Sequence, residues 1–458
     1  MPDLFPIRIP KPPWVHRVRH FLGPRAHKLH FLLDCAQQYG DVVDLSLGMP
    51  TYMLNSPDDI KYILETHHQN YAKTRNLTGK SGKHLAGKGI LTSSGMEALH
   101  QRRRLNPLFA RASLGPFAEV ITHCTEQMMT RWHGRATLDI AEEMLGLTHR
   151  IIGKVVLGVD FAGEARALGE AFHTWRRYFE ISLRRPFPLP ETILTRVHPS
   201  YRGASQYIHH TLTELIRTRR RIPETPSDFL SLLLSAQNRA GTTMSEELVR
   251  DEAMTSASTG YVTIGLALTW TWYLLAQHPE IAARLMSEVD VVLHGRIPNA
   301  DDLPQLRYTE MVLQEALRLY PPTWLFVRIP QQDDVLPSGF RVTAGAKLYL
   351  CPYVTHRLPR YFPDPERFDP ERFTEAAKQT RPRHAYYPFS AGPRVCLGQG
   401  FALMEGVLVL ATIAQRFTLE LVPGHPVVPE PRLILVPRNG IWVRTKYREA
   451  QIALSSLR

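Results

Sequence analysis

FSAGPRVCLG, residues 389–398, places Cys396 in a turn flanked by Gly392 and Gly398, with Arg394 two residues before it and Phe389 seven before. A lone cysteine beside a turn is ordinarily a small buried hydrophobe. The alternative is a thiolate, which needs positive or hydrogen-bonding neighbours to stay deprotonated. Backbone N–H groups of a glycine-bearing turn and a nearby arginine are such neighbours. The rest of the chain decides between the two readings.

The chain has 458 residues, 44% of them hydrophobic, enough to bury a large core. Cys35, Cys124, Cys351 and Cys396 form no CxxC pair and are too scattered for a disulfide framework, which suits a reduced, cytoplasmic setting. The N-terminal MPDLFPIRIPKPPWVHRVRHF is interrupted by prolines and basic residues, and no apolar run is long enough to span a bilayer, so a soluble protein without a membrane span is expected. Lysine and arginine outnumber aspartate and glutamate by 55 to 43, a net charge of +12 that favours acidic partners. These basic residues fall in short clusters such as Arg102–Arg104 and Arg219–Arg221, with neither zinc-ligand spacing nor an aromatic RNA-binding signature, which argues against nucleic acid.

Residues 41–48 and 51–57 alternate apolar and polar side chains around Gly48 and Pro50 and predict a hairpin. SPDDIKYILETH then opens as a helix, with Ser56 as N-cap, Pro57 in the first position and acids in the first turn. Helical patterns follow at 115–132, 137–157, 163–182, 204–220 and 227–237, and a long one covers 245–277. No internal repeat is present. The pattern predicts one mainly α domain over 1–458 with a smaller β region: a β-rich part at about 35–60, a helical core at about 60–322 and a mixed C-terminal part at about 323–458.

In the C-terminal third, YTEMVLQEALRLYPP (308–322) has a helical pattern ended by its prolines. Glu315 and Arg318 stand three apart and share a face, and Arg372 in DPERFDPERF can join them in a buried network. The order EALR, PERF, FSAGPRVCLG resembles the cytochrome P450 superfamily, whose haem-binding pattern FxxGxRxCxG is matched at Phe389, Gly392, Arg394, Cys396 and Gly398. PPTWLFVRIP, ALTWTWYLLAQHPE and CPYVTHRLPRYFPDPERF also resemble this family in the expected order, and the likeness is to its soluble bacterial members.

The resemblance implies that Cys396 is the axial ligand of haem b (iron protoporphyrin IX), pushing electron density toward iron. Phe389 then shields the sulfur, and Arg394, Arg328 and Arg102 meet the haem propionates. Four residues before Arg102, where the family usually has Trp or His, this chain has Ala98, and His100 is a candidate substitute. Residues 248–280 resemble the helix that crosses the haem, with the family's [AG]Gx[DE]T[TS] segment present as Thr259-Gly260-Tyr261-Val262-Thr263-Ile264. The glycine and the threonine remain, but Val262 replaces the acid of the family's acid–alcohol proton relay, leaving Thr263 to position water or to bond back to the preceding helical turn. Pocket segments carried over by resemblance, around 75–95, 172–190, 255–263, 323–327 and 433–441, contribute Leu77, Phe179, Ala257, Tyr261, Trp324, Leu325 and Phe326, an apolar and aromatic set suited to a hydrophobic small molecule.

The implied activity is a haem-thiolate monooxygenase acting on a terpene, steroid, fatty acyl or aromatic natural product. About sixty residues follow the haem loop, too few for a flavin or iron–sulfur domain, so electrons from NAD(P)H have to arrive through a separate ferredoxin or flavodoxin with its reductase. Arg103, Arg104 and Arg111 are candidates for docking such an acidic donor. The loss of the acid at Val262 also fits oxidative coupling, rearrangement or peroxide-driven oxidation, and a non-catalytic haem sensor is the rival from another class.

Overall fold

A computed structural model describes residues 9–22, 26–183, 198–222, 228–237 and 241–448. The expected architecture, mainly helical with a smaller strand component, is observed. Two compact units are distinguished: Met1–Thr74, Gln314–Cys396 and Val428–Arg438 form one, and Arg75–Leu313, Leu397–Val427 and Asn439–Arg458 the other.

The first unit is built around a five-stranded sheet in the order Val42–Asp44, Thr51–Leu54, Lys347–Leu350, Phe326–Pro330, Tyr71–Ala72. The hairpin read from sequence is its edge, with Val43 opposite Met53. Thr51–Leu54 runs parallel to Lys347–Leu350, and Phe326–Arg328 pairs antiparallel with the same strand, Val327 opposite Tyr349. Alternation along Lys347–Leu350 turns Leu348 and Leu350 into a core with Leu54, Ile60, Ile63, Phe340 and Tyr387. The helix opened by Pro57 runs only to Lys61 before widening into a π-turn at Tyr62–Thr66, and Ser56 makes no side-chain cap bond.

In the second unit the helices include Phe117–Thr130, Ile140–Ile152, Arg166–Leu183 and Pro199–Arg221, close to their sequence-derived bounds. The pattern read as one helix over 245–277 is two, Glu246–Thr259 and Val262–Gln277, separated at Gly260–Tyr261. The helix read over 137–157 is preceded by a short strand, Leu138–Asp139, and ends in a π-turn at Gly153–Leu157. That strand pairs with Trp442–Tyr447, which also pairs with Phe417–Leu421. Among the described residues no helix is long and apolar enough to cross a membrane.

Helix Gln399–Ala414, which begins three residues after Cys396, is apolar around almost its whole circumference and buries Glu405 within it. Among the described residues its Oε1 has no hydrogen-bond partner, and burial pushes the carboxyl well above the usual carboxylate range. The folded state therefore keeps a proton here that the unfolded chain gives up above pH ~4.3. Between that pH and the raised folded value the native state binds more protons than the unfolded one, so stability falls as pH rises, by at most about 1.4 kcal/mol per pH unit. Chemical unfolding of wild type and Glu405→Gln between pH 5 and 8 is expected to converge at the acid end and to favour the glutamine variant increasingly toward pH 8. Parallel pH profiles would mean that Glu405 is charged in the folded protein.

Candidate active site

The ion network expected from EALR and PERF is present. Helix Arg307–Leu319 places Glu315 and Arg318 one turn apart, both wholly buried. Arg318 Nε and Nη2 donate to the two Glu315 oxygens at 2.7 and 2.8 Å, a bidentate pair. The remaining guanidinium donors reach the carbonyls of His356 (2.9 Å), Pro365 (2.7 Å) and Arg367 (3.1 Å). Glu315 also accepts from the Asp369 N–H at 2.9 Å, and Arg372 Nε stands 3.5 Å from it as an ion-pair partner. His356, fully buried, links this network to the cysteine loop: its Nδ1 lies 3.3 Å from the Arg318 carbonyl, and its Nε2 accepts from the Tyr387 N–H at 3.0 Å. Burial and then the Arg318 charge hold His356 neutral, well below the usual histidine range.

Two residues beyond Tyr387 the loop begins. Cys396 N–H donates to the Phe389 carbonyl at 2.9 Å, closing a turn that contains the short 3₁₀ segment Gly392–Arg394. Gly392 has φ +66°, and a Cβ there would lie 2.2 Å from the Leu64 carbonyl oxygen, so only glycine fits. Gly398 caps the helix that follows. Cys396 is exposed, whereas Cys35, Cys124 and Cys351 are buried. Burial pushes those three thiols up to about 12, 11 and 12, where they stay protonated.

The same unit carries two arginines that meet no acid among the described residues. Arg328, on strand Phe326–Pro330, is buried, and among the described residues it donates only to its neighbour's carbonyl, Val327 O, at 3.1 Å. Burial, and then the like charge of Arg394, pull it down to about 10. Arg394 is lowered by its own burial, and its buried Nη1 makes no hydrogen bond among the described residues. A desolvated pair of like charges is costly without an anion between them. One exposed thiol, one buried guanidinium at Arg328 and one half-buried at Arg394 whose Nη1 is buried and unpartnered are the donor set that a flat, dianionic, metal-bearing group would satisfy, so these residues fit the expected haem.

In the second unit, Val262 is buried and Thr263 is partly exposed at the start of helix Val262–Gln277. The Thr263 hydroxyl lies 3.5 Å from the Thr259 carbonyl, the longest reach of such a back-bond. Gly260 allows close helix packing, since a Cβ there would sit 2.6 Å from Ile152 Cδ1. Arg102 and His100 lie on helix Gly95–Leu105, but two residues apart means about 200° around the axis, so they face different ways. Arg102 is half-buried and His100 exposed.

Among the pocket residues carried over by resemblance, Leu77, Leu325 and Phe326 keep exposed surface, while Ala257 is wholly buried. Phe179 stacks on Trp175 at 4.9 Å, and Tyr261 packs on His149 at 4.5 Å. Trp324 is anchored by its indole N–H to the Arg432 carbonyl at 2.9 Å. The portion of the 172–190 segment from 184 on lies outside the described residues, as does the Arg111 side chain. Sequence reading missed Asp251 and Glu252, two buried acids on helix Glu246–Thr259 that accept from the backbone N–H groups of Lys88 (2.7 Å) and Ile90 (3.0 Å). The available signal was an acidic pair inside a run of otherwise buried helix positions.

Residues 9–444 match the cytochrome P450 family. The chain is 32% identical over 452 residues to the cyclooctatin synthase of Streptomyces melanosporofaciens, covering 95% of this chain and 97% of that protein. It is 30% identical to the pentalenene oxygenase of Streptomyces avermitilis, covering 88% and 89% respectively. Among solved structures, the heme domain of cytochrome P450DA superposes with a TM-score of 0.88 at 24% identity over 96% of this chain and 98% of that one.

Proposed function

The chain belongs to the cytochrome P450 family of haem-iron monooxygenases, which use O2 and reducing equivalents, and from that premise we propose that it inserts one oxygen atom from O2 into a terpenoid. The observation that carries the haem-thiolate reading is the single exposed cysteine, Cys396, in one unit with the unneutralised Arg328 and Arg394. The substrate class rests on two relatives whose names point to terpenoid oxidation and on the apolar character of Leu77, Leu325 and Phe326.

In this reading haem b, when bound, supplies the electron-transfer and O2 chemistry, and the protein supplies ligation, orientation and protons. Cys396 Sγ would hold the haem iron, and the Cys396 N–H bond to the Phe389 carbonyl fixes the backbone of the loop that carries it. Arg328 and Arg394 would receive the propionates; Arg102 is a further candidate by the family resemblance alone. Apolar side chains orient a substrate that has no charge to grip. Thr263 Oγ1 holds a water and hands on a proton; at 3.5 Å its bond to Thr259 O is weak enough to exchange for water. Val262 can neither donate nor relay a proton. Electrons come from NAD(P)H through a ferredoxin or flavodoxin and its reductase, and the exposed Arg103 suits an acidic donor.

The test is turnover of cyclic terpene hydrocarbons under isotopically labelled O2, preceded by a screen of those compounds for shifts of the haem absorption band. Label in the product supports monooxygenation. Unlabelled product, or turnover on peroxide alone, would move the assignment to coupling, rearrangement or peroxide-driven oxidation, which the missing acid at position 262 favours. Thr263→Ala is expected to lower product per electron pair and to raise peroxide release severalfold, measured with a turned-over substrate. Unchanged coupling would transfer the proton source to the substrate or to another water chain.

A further inference from the structure

The separation of Glu246–Thr259 from Val262–Gln277 has no cause within its own sequence. No proline is present, and Gly260 sits at φ −73°, an ordinary helical value that needs no glycine. The last bond of the first helix runs from Gly260 N–H to Ser256 O at 3.0 Å, and the first of the second from Gly265 N–H to Tyr261 O at 2.9 Å. By that register the carbonyls of Ala257, Ser258, Thr259 and Gly260 lose their partners four residues on.

The cause lies on the neighbouring helix Ile140–Ile152. Thr148 is wholly buried, and its Oγ1 stands 3.0 Å from the Tyr261 carbonyl oxygen, as well as 2.9 Å from Met144 O and 3.3 Å from Leu145 O in its own helix. The single hydroxyl hydrogen serves one of these three carbonyls at a time, and when it turns to Tyr261 O that carbonyl accepts from outside its helix in addition to the Gly265 N–H. A side chain that reaches into the bonding ladder in this way tilts the carbonyl outward and opens the turn before it. Gly265 is the aperture, since a Cβ there would lie 2.7 Å from Thr148 Oγ1 and 3.0 Å from Leu145 Cδ2.

We propose that Thr148 is a positioning residue that, from the neighbouring helix, holds this helix open at Gly260–Tyr261, a task for which Val262 has no polar group. Opening leaves the exposed Thr259 with a carbonyl that accepts the Thr263 hydroxyl instead of a backbone N–H. The consequence for coupling rests on the water-positioning reading of Thr263 above; the opening itself does not.

Two variants of the haem-loaded enzyme separate these statements. Thr148→Val keeps the shape and removes the hydroxyl, and Thr148→Ser keeps the hydroxyl. Amide hydrogen exchange resolved over residues 257–265 is expected to slow about tenfold at Tyr261–Ile264 in Thr148→Val, the worth of one added backbone bond, and to stay at the wild-type rate in Thr148→Ser. Peroxide release per electron pair is expected to rise in the valine variant and not in the serine variant. Unchanged exchange in Thr148→Val, or equal slowing in both variants, overturns the proposal. Slowed exchange with unchanged peroxide release upholds it and overturns instead the role given to Thr263. Should Thr148→Val fail to load haem, Thr148→Ala is read by the same exchange measurement.

Discussion

Glu315→Ala is expected to yield almost no folded, haem-loaded protein. Arg318 is wholly buried, and its side chain has no water to fall back on once its carboxylate is gone. Its three carbonyl partners, His356, Pro365 and Arg367, offer partial negative charge but no counter-ion. Breaking a buried pair by removing one member costs about 3–5 kcal/mol, because the survivor remains charged in a medium that solvates it poorly. That is a large share of the ~5–15 kcal/mol by which a domain is stable. Burial raises the Glu315 carboxyl above its ordinary range against the opposing pull of Arg318, the Asp369 N–H and Arg372, and these are the partners that the variant orphans. The loss extends to the cysteine loop, because the Arg318 carbonyl, His356 and the Tyr387 N–H form a continuous chain to it. Haem absorbance per protein and circular dichroism of the purified variant are the measurements. Normal yield and normal haem content would show the pair to be dispensable.

The parts of this network that were legible in the sequence were those with local spacing. Glu315 and Arg318 fall one helical turn apart, and Arg372 lies in a motif that accompanies them. The carbonyls that complete the guanidinium's bonding lie 38 to 49 residues away and carry no side-chain signal. The sheet divides the same way. Its hairpin is written in local alternation, but the parallel pairing of Thr51–Leu54 with Lys347–Leu350 joins segments with nothing local to announce it. The opening at Gly260–Tyr261 was illegible for a related reason: the apolar pattern runs through both helices, and Thr148, which accounts for the opening, lies 113 residues before Tyr261. Glu405 reads as an ordinary helix acid until the neighbouring residues are seen to be apolar on every side.

Cys396→His is expected to abolish the red-shifted absorption band that marks thiolate ligation in the reduced carbon monoxide complex, while leaving a protein able to hold haem. The two effects separate because different groups carry them. The sulfur sets the electronic character of the iron, and the paired cations Arg328 and Arg394 attract the propionates whichever ligand stands at position 396. Arg328→Leu should show the converse, with the band retained and haem lost more readily on dilution, since the buried guanidinium contributes charge and not ligation. Substituting Cys35, Cys124 or Cys351 by alanine should leave the band in place, because burial keeps each of those thiols protonated and a thiol is a poor iron ligand. A wild-type spectrum of the histidine-ligated kind, or a thiolate band that survives in Cys396→His, would remove Cys396 from the iron. The turn closed by the Phe389 carbonyl and opened by Gly392 would then be an ordinary loop with an exposed cysteine, and the Arg328–Arg394 pair would need another anion.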